Sequence, residues 1–412
     1  MKKLNNMNID FVLTHLSHGS PGSFYRPYEL LKELILQGNN GQLLTPFAQD
    51  VKTIHDIPIN LIPNITQKYV PQNFVYDNIR KILYNKTLSK FIPYEKFLIS
   101  SAKKIENNIK TNLINSPDIL QAEQEVAGLA CLNLSKELRI PLVIDFHNIW
   151  AEELAAMGYI KYDSEQFKNL IQIDQKLIDA ADGIIVVNDY MKEYFISKFQ
   201  VDINKLCIIP PGGNTLYPNI EEINSKRFQS KKIVYSGLVN PREHVDLFVK
   251  SIPYIHKKNP NVTFYISDKG ESLKEIKNIC NFLKITPTFV WYESIQKARE
   301  MLKYSYIGVL PSTNDVPRKL GTPLKLMEYL SNGMPVVANN IDSWCDIIEK
   351  YQIGILTDDD PEKFGGEINF LIKNEDLYLK LQKNISNLLN EKFSWEKHVK
   401  SLLIPFYERL LR

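Results

Sequence analysis

The sequence lacks the features that mark several large classes of protein. Its 412 residues contain four cysteines and no C-x-x-C pair, which argues against a structural zinc site or a thioredoxin-like redox centre. No apolar run reaches the roughly 18 residues that span a bilayer, and no cleavable leader pattern is present. Few cysteines without pairing signals favour a reduced, cytoplasmic protein.

The sequence also lacks a large excess of positive or negative charge, and it lacks the glycine-rich motifs that bind nucleotides. Lys and Arg total 50 and Asp and Glu total 47, giving a net charge of +3, which is too even for a dedicated nucleic-acid binder. Neither G-x-G-x-x-G nor G-x-x-x-x-G-K-[ST] occurs. These absences argue against a nicotinamide enzyme and exclude a P-loop. We expect no nucleic-acid partner and no metal site.

Short apolar runs that alternate with helical segments are what the sequence does contain. The first run lies at residues 9–13, a helix is predicted over residues 27–37, and the pattern restarts at Lys232. Such alternation is typical of parallel sheets covered by helices on both faces. The predicted fold class is α/β, with two doubly wound, Rossmann-like domains facing across a cleft.

The domain boundary is predicted after the Pro-Pro-Gly-Gly-Asn stretch at residues 210–214 and the polar segment that follows it. The first domain is predicted over residues 1–222 and the second over residues 223–394. A last helix, within residues 395–412, is predicted to pack back on the first domain. Ligands of doubly wound sheets bind at the carboxyl ends of the strands, so we expect each domain to contribute site residues there.

Residues 64–117 break the alternation with an excess of basic side chains. They include nine Lys or Arg against three Asp or Glu, with aromatic residues interspersed. This mixture suits an anionic membrane surface or a lipid-phosphate acceptor, which would place the protein peripherally at the inner membrane face. The alternative is a helical excursion whose aromatics pack inward while its lysines face water. The sequence leaves both interpretations open.

The most informative segment reads GTPLKLMEYLSNGMPVVA from Gly321 onward. Gly321 and Thr322 are predicted to form a loop, and Pro323 is predicted to open a helix. The start of a helix offers unpaired N–H groups and a positive dipole end to an anion. Lys325 and Glu328 would share one face of the first turn. A cation there suits a phosphate, and a carboxylate suits ribose hydroxyls.

This segment resembles the donor-site motif of the retaining GT-B glycosyltransferases of family 4, the glycosyl transferases group 1 type. Other blocks resemble that family in order along the chain: DILQAE, IPLVIDFHN, ADGIIVVN, LCIIPPGGN, YSGLVNPREHVD and a closing FSW. The resemblance covers most of the chain and is weakest over residues 40–117. It implies a GT-B fold and metal-independent, hexosyltransferase-type transfer from a nucleotide sugar to a glycan or lipid-linked acceptor, with anomeric retention. The nucleotide sugar would be a co-substrate, with no cofactor.

The resemblance also implies roles for individual residues. Glu328 would bind the donor ribose, His147 would lie near the transferred sugar, and both would act with Lys325 in catalysis. Glycines after the first strand would let phosphate and acceptor approach the backbone. Predicted donor contacts are Gly19, Gly22, Gly237, Arg242, Gly321, Thr322, Pro323, Lys325 and Glu328. Predicted acceptor contacts are Ser20, Arg26 and His147.

Two features depart from the family's pattern. Leu320 stands where a first glutamate is usual. The usual arginine and lysine that bind the donor pyrophosphate align with Leu238 and Glu243, so Arg242 and Lys325 are the predicted substitutes. Charge-assisted hydrogen bonds of that kind contribute about 1.5–3 kcal/mol each. A nucleotide-sugar epimerase, which shares this two-domain layout, is one alternative function. The other is a non-catalytic partner subunit, which Leu238 and Glu243 suggest because cations are expected at their positions.

Overall fold

The structure is a computed structural model that describes residues 6–13, 21–45, 53–54, 57–58, 66–69, 93–113, 117–214, 216–217, 219–291 and 295–412. The chain divides into two compact units. Unit 1 comprises Met1–Pro210 and Trp395–Arg412, and unit 2 comprises Pro211–Ser394. Each unit contains a parallel sheet with helices between its strands, which confirms the predicted α/β, Rossmann-like fold class.

The strands, in chain order, are β1 (Asn8–Leu13), β2 (Asn40–Thr45), β3 (Thr53–Ile54), β4 (Ile57–Pro58), β5 (Thr66–Tyr69), β6 (Ile119–Glu123), β7 (Leu142–Asp145), β8 (Gly183–Val186), β9 (Leu206–Ile208), β10 (Lys232–Tyr235), β11 (Thr263–Ser267), β12 (Thr288–Val290), β13 (Ile307–Leu310), β14 (Val336–Asn339) and β15 (Gly354–Thr357).

The helices, in chain order, are α1 (Pro21–Leu36), α2 (Tyr94–Lys110), α3 (Gln124–Leu138), α4 (Trp150–Ala156), α5 (Glu165–Ala180), α6 (Asp189–Phe199), α7 (Ile220–Ser230), α8 (Val245–Lys258), α9 (Leu273–Leu283), α10 (Ile295–Lys303), α11 (Val316–Leu320), α12 (Leu324–Ser331), α13 (Cys345–Tyr351), α14 (Pro361–Lys373), α15 (Glu375–Glu391), α16 (Trp395–His398) and α17 (Ile404–Leu410). Short 3-10 turns cover Ile203–Lys205 and Pro241–Glu243, and a π-helical turn covers Val399–Leu403.

The sheet of unit 1 has the order β5-β2-β1-β6-β7-β8-β9, with all neighbours parallel. Strands β3 and β4 form a separate antiparallel pair. The central strands β6, β7 and β8 are buried along their whole length, as expected of a parallel sheet covered on both faces. This burial explains why they read as short apolar runs in the sequence.

The C-terminal segment packs within unit 1. Trp395 and Tyr407 are buried, and the Trp395 ring meets Tyr25 of α1 edge to face at a centroid distance of 6.0 Å. A Cβ at Gly183 would lie 2.6 Å from the Phe406 ring, so the glycine at the start of β8 admits the last helix. These contacts attach residues 395–412 to the core around β1 and β8.

The sheet of unit 2 has the order β12-β11-β10-β13-β14-β15, and its neighbours are also parallel. Helix α12 packs closely on it, because a Cβ at Gly308 of β13 would lie only 2.4 Å from the Tyr329 ring. The Tyr329 hydroxyl accepts a hydrogen bond from Ser236 N at 2.7 Å. Helix α12 is thereby fixed against the end of β10.

The boundary between the units lies earlier than predicted, after Pro210 instead of residue 222. Gly213 N donates to Phe393 O at 2.7 Å, and Asn214 N donates to Ser331 Oγ at 2.9 Å. Backbone hydrogen bonds therefore attach the glycine-rich stretch to unit 2, although its composition resembles a linker.

Helix α1 also begins earlier than predicted, at Pro21 instead of Pro27. Proline favours the first helical position, and the segment offers two prolines that satisfy this preference. Pro27 lies inside the helix. Gly22 is consequently part of the first turn of α1 and not part of a loop, whereas Gly19 and Ser20 lie outside the described residues.

Candidate active site

The carboxyl end of the unit 2 sheet contains a topological switch point. Strand β10 has β11 on one side, which follows it in sequence, and β13 on the other. Open α/β sheets bind ligands where the strand order reverses in this way. The chain leaves β10 at Tyr235 and β13 at Leu310, so the segments that follow these residues build the candidate site.

A glycine bend follows β10 at this switch point. Gly237 has a φ of +142°, a conformation that favours glycine, and its N–H donates to Ser267 Oγ at 2.9 Å. A Cβ at this position would lie 3.0 Å from both Cε and Nζ of Lys325. The absent side chain therefore allows the lysine to lie directly against the bend.

Four side chains meet beside the bend, and we call them the Glu243 cluster: Glu243, Lys325, Arg318 and Tyr235. Glu243 Oε2 accepts hydrogen bonds from Lys325 Nζ and from Arg318 Nη2, the latter at 2.6 Å. Lys325 Nζ also donates to the Tyr235 hydroxyl at 3.0 Å and lies 4.7 Å from the ring centroid. One carboxylate thus binds two cations at the carboxyl end of β10.

The charges in the Glu243 cluster shift one another's pKa values. Burial alone would raise the pKa of Glu243, but Arg318 and Lys325 lower it to about 2. Burial lowers the pKa of Lys325 while Glu243 opposes the change. The pKa of Arg318 is raised, because its attraction to Glu243 outweighs burial. The cluster therefore contains an ionised carboxylate between two charged bases.

Arg318 is a site residue that the sequence interpretation missed. Its Nε donates to Ser312 Oγ at 3.1 Å, and Ser312 is fixed by two backbone hydrogen bonds to the Asn339 amide, both 2.8 Å. Asp315 caps α11 by accepting from Arg318 N at 3.0 Å. The Asp-x-Pro-Arg pattern is a helix-start signal that could have placed this arginine on a helix after β13.

The predicted substitute Arg242 occupies a different position. It lies in the 3-10 turn Pro241–Glu243, and its carbonyl accepts hydrogen bonds from N and Oγ1 of Thr313, each at 3.1 Å. It is thus Arg318, and not Arg242, that forms the ion pair with Glu243. The donor contact predicted for Arg242 remains a prediction.

The helix that the Gly321 segment was predicted to form starts one residue later than expected. Pro323 is the N-cap of α12, and the helix begins at Leu324. Thr322 before it is buried, and Lys325 lies in the first turn. Burial raises the pKa of Glu328, with Arg299 and Lys325 opposing the rise. The motif therefore brings Lys325 to the Gly237 bend, with Glu328 one turn further along the same helix.

The corresponding switch point of unit 1 lies between β1 and β6. A group beside it, which we call the Arg26 cluster, comprises the buried residues Arg26, Asp145 and Glu123 and the partly exposed His147. Arg26 donates from Nε and Nη2 to the two oxygens of Asp145 at 2.9 and 3.2 Å. The guanidinium is 3% exposed and the carboxylate 0%. The acceptor contact predicted for Arg26 remains a prediction.

His147 lies two residues after β7, where its Nδ1 is 3.8 Å from Glu123 Oε2 at the end of β6. Burial and the neighbouring Asp145 raise the pKa of Glu123 well above its ordinary value, and Arg26 opposes the rise. Burial also raises the pKa of Asp145, again with Arg26 opposing. Glu123 and Asp145 were missed, although acidic residues at the ends of adjacent strands are a visible signal.

The same group of residues contains potential metal ligands. Among the described residues, Glu123, Asp145 and His147 are the group of potential ligands whose atoms lie within 4.8 Å of one another. Both oxygens of Asp145, however, already accept hydrogen bonds from Arg26. The guanidinium charge would repel a cation at that point, so the geometry fits an ion-paired cluster better than a metal centre.

The basic segment at residues 64–117 is described only in part, because residues 70–92 and several shorter stretches of it lie outside the described residues. Within it, α2 buries Tyr94, Leu98 and Ile105. An open groove on its outer face is lined by Lys96, Ile99, Ser100, Lys103 and Lys104. The described helix therefore packs most of its apolar residues inward and turns these lysines outward, with Ile99 exposed among them.

Comparisons with known proteins agree with this two-unit Rossmann-like class. Residues 28–215 match the family "Glycosyltransferase Family 4", and residues 217–388 match "Glycosyl transferases group 1". The chain therefore belongs to the GT-B glycosyltransferases of the group 1 type, as the motifs predicted. Among the described residues, no helix has the length and apolarity needed to cross a membrane.

Several relatives are similar over part of their length. An uncharacterized glycosyltransferase of Haemophilus influenzae is 25% identical over 53% of this chain and 60% of its own length. The UDP-Gal:alpha-D-GlcNAc-diphosphoundecaprenol alpha-1,3-galactosyltransferase of Escherichia coli is 27% identical over 52% of this chain and 57% of its own. The crystal structure of Anabaena HepE in complex with UDP superposes with a TM-score of 0.65 at 14% identity, covering 96% of this chain and 98% of HepE.

Proposed function

We propose that the protein transfers a sugar from a nucleoside diphosphate sugar to a glycan or lipid-linked acceptor, with retention at the anomeric carbon. The observation that carries the proposal is the cation pair Lys325 and Arg318 beside the Gly237 bend. It lies at the switch point of the unit that matches the group 1 family. Two cations next to bare backbone suit a diphosphate.

The same groups suit the chemistry of transfer. The leaving diphosphate gains negative charge while the sugar becomes oxocarbenium-like. Lys325, Arg318 and the start of α12 would stabilise the charge on the leaving oxygen, a role that needs no metal ion in this scheme. The hexosyltransferase type of the reaction is part of the proposal.

Other residues would position the reactants. Glu328, one turn into α12, would bind the ribose hydroxyls of the donor, and Gly321 and Thr322 would contact the sugar through their backbone. His147, after β7 of unit 1, would contact the transferred sugar and the acceptor. Its neighbour Glu123 would orient the imidazole.

We further propose that the acceptor is lipid-linked and that the protein works in the cytoplasm, peripherally at the inner membrane face. The diphosphoundecaprenol acceptor in the name of the Escherichia coli relative supports this class of acceptor. The outward lysines of α2, which include Lys96, Lys103 and Lys104, supply charge that suits an anionic surface.

The test is a panel of nucleotide sugars, screened by thermal shift and by release of nucleotide with and without a crude lipid extract. We expect one donor to raise the melting temperature and to release nucleoside diphosphate only when lipid is present. Sugar interconversion without acceptor would indicate an epimerase instead. Binding of no donor would favour a non-catalytic partner subunit and contradict the proposal.

The donor assignment is tested separately with Glu328→Ala. Because a hydrogen bond to a charged group contributes about 1.5–3 kcal/mol, we expect the Kd of the nucleotide sugar to rise about tenfold or more. The matched control is Glu349→Ala, which removes an exposed carboxylate from α13. Unchanged affinity in a folded Glu328→Ala variant would remove Glu328 from the donor site.

A further inference from the structure

Glu243 is an acidic residue at a place where a diphosphate site calls for positive charge. Its Oε2 accepts from Lys325 and Arg318 and lies 3.1 Å from the Tyr235 hydroxyl. The carboxylate is 15% exposed, and its lowered pKa keeps it ionised at neutral pH. An anion bound by the two cations would therefore lie next to a fixed negative charge.

The two cations do not depend on Glu243 alone for their positions. Lys325 Nζ also donates to the Tyr235 hydroxyl at 3.0 Å, and Arg318 Nε donates to Ser312 Oγ at 3.1 Å. Each cation keeps a second partner if Glu243 loses its charge, and a glutamine would retain an acceptor oxygen. The main effect of the carboxylate on a bound anion is therefore electrostatic.

We propose that Glu243 is a specificity-determining residue that weakens binding of the nucleoside diphosphate product more than binding of the nucleotide-sugar donor. This inference rests on the proposed function. In the net transfer, the acceptor oxygen bonds to the anomeric carbon and gives its proton to water. The bond between the anomeric carbon and the β-phosphate oxygen breaks, and that oxygen keeps the electron pair. The product thus carries one more negative charge than the donor.

Repulsion by Glu243 grows with the charge of the anion that the two cations bind. With Glu243 ionised, the carboxylate and the two cations sum to one positive charge, and without it they sum to two. Two uncompensated cations would bind the more highly charged product more tightly and would therefore slow its release. Product release is the step that limits turnover in many enzymes. Glu243 therefore favours release of the product over its retention.

The test compares Glu243→Gln with Arg318→Gln and with the control Glu349→Gln, which removes the same charge from an exposed position of α13. Calorimetric titrations with UDP, GDP, ADP, CDP and dTDP, and then with the corresponding nucleotide sugar, give each Kd. Glu243→Gln is expected to tighten the nucleoside diphosphate about tenfold or more and the nucleotide sugar less. Arg318→Gln is expected to weaken both ligands, and the control is expected to change neither.

Weaker or unchanged binding of the nucleoside diphosphate to a folded Glu243→Gln variant would overturn the inference, as would equal tightening of product and donor. Should this variant not fold, the unsubstituted protein supplies a second measurement. Its preference for the nucleoside diphosphate over the nucleotide sugar is expected to stay below about tenfold, and a larger preference overturns the inference. If the unsubstituted protein binds no nucleotide at all, the proposed function fails and the inference fails with it.

Discussion

The two units place opposite proportions of acidic and basic side chains at the switch points of their sheets. In the Arg26 cluster of unit 1, one guanidinium faces two buried carboxylates. In the Glu243 cluster of unit 2, one carboxylate faces two cations. The same fold position therefore carries more carboxyl groups than cations in one unit and more cations than carboxyl groups in the other.

Burial differs between the two clusters as much as charge does. Arg26 and Asp145 are 3% and 0% exposed, whereas the side chains of Glu243, Lys325 and Arg318 are 13–17% exposed. A fully buried ion pair contributes mainly to the folded structure, because its partners cannot turn to a ligand. A partly exposed cation pair can bind an anion from solvent. The comparison supports the proposal that the donor phosphate binds to unit 2.

The largest expected effect separates the two clusters by stability. Arg26→Gln leaves Asp145 buried without its cation, and breaking a buried pair costs about 3–5 kcal/mol. Arg318→Gln leaves Glu243 paired with Lys325, so the expected loss is about 1 kcal/mol. Denaturant titration followed by circular dichroism measures both free energies of unfolding.

Equal losses in the two variants would contradict this comparison, since they would mean that burial does not distinguish the pairs. The double variant Arg26→Met with Asp145→Leu is the control, because it removes both members of the ion pair and leaves Glu123, whose raised pKa favours its neutral form. It is expected to recover much of the stability that Arg26→Gln loses.

A second effect concerns the pH dependence of stability, for which Glu125 of unit 1 and Glu243 of unit 2 differ in sign. Burial raises the pKa of Glu125 on α3 to about 7, so its contribution to stability is complete below its unfolded pKa and is lost as the pH rises through 7. Glu243, with its pKa lowered to about 2, contributes stability above its unfolded pKa that is lost as the pH falls toward 2.

Glu125→Gln should therefore flatten the loss of stability between about pH 5 and pH 8 and stabilise the protein by about 1–3 kcal/mol at pH 8. The amide keeps an acceptor for Trp150 N, which now donates to Glu125 Oε1 at 3.3 Å. Free energies of unfolding across this pH range provide the measurement. Glu193→Gln, exposed on α6, is the control, and an identical pH slope in both variants would rule out Glu125 as the source.

The alternation of apolar runs predicted the α/β class because each buried strand of a parallel sheet is apolar along most of its length. The motif from Gly321 likewise predicted a helix that carries Lys325 and Glu328. Local signals failed where two prolines competed, so that α1 was predicted to start at Pro27 and starts at Pro21.

The charge clusters could not be predicted in this way, because their partners are distant in sequence. Arg26 and Asp145 are 119 residues apart, and Glu243 and Lys325 are 82 apart. Alignment to the family indicated that cations were missing beside β10, but only the fold shows that Arg318 approaches from α11. Composition and periodicity contain no information about such pairings.

The smallest expected effect tests whether the bend beside β10 is built for Lys325. Gly237→Ala adds a Cβ at a φ of +142° and 3.0 Å from Lys325 Nζ. It should lower the free energy of unfolding by about 1 kcal/mol and weaken nucleoside diphosphate binding severalfold, because the lysine must move.

Gly366→Ala is the matched control, since its Cβ would meet open space on α14 and alanine favours a helix by up to about 1 kcal/mol. The two variants should therefore shift stability in opposite directions, and only Gly237→Ala should change the Kd. If Gly237→Ala lowers stability but leaves the Kd unchanged, the bend constrains the backbone without positioning Lys325, and Tyr235 and Glu243 would then hold the lysine in place.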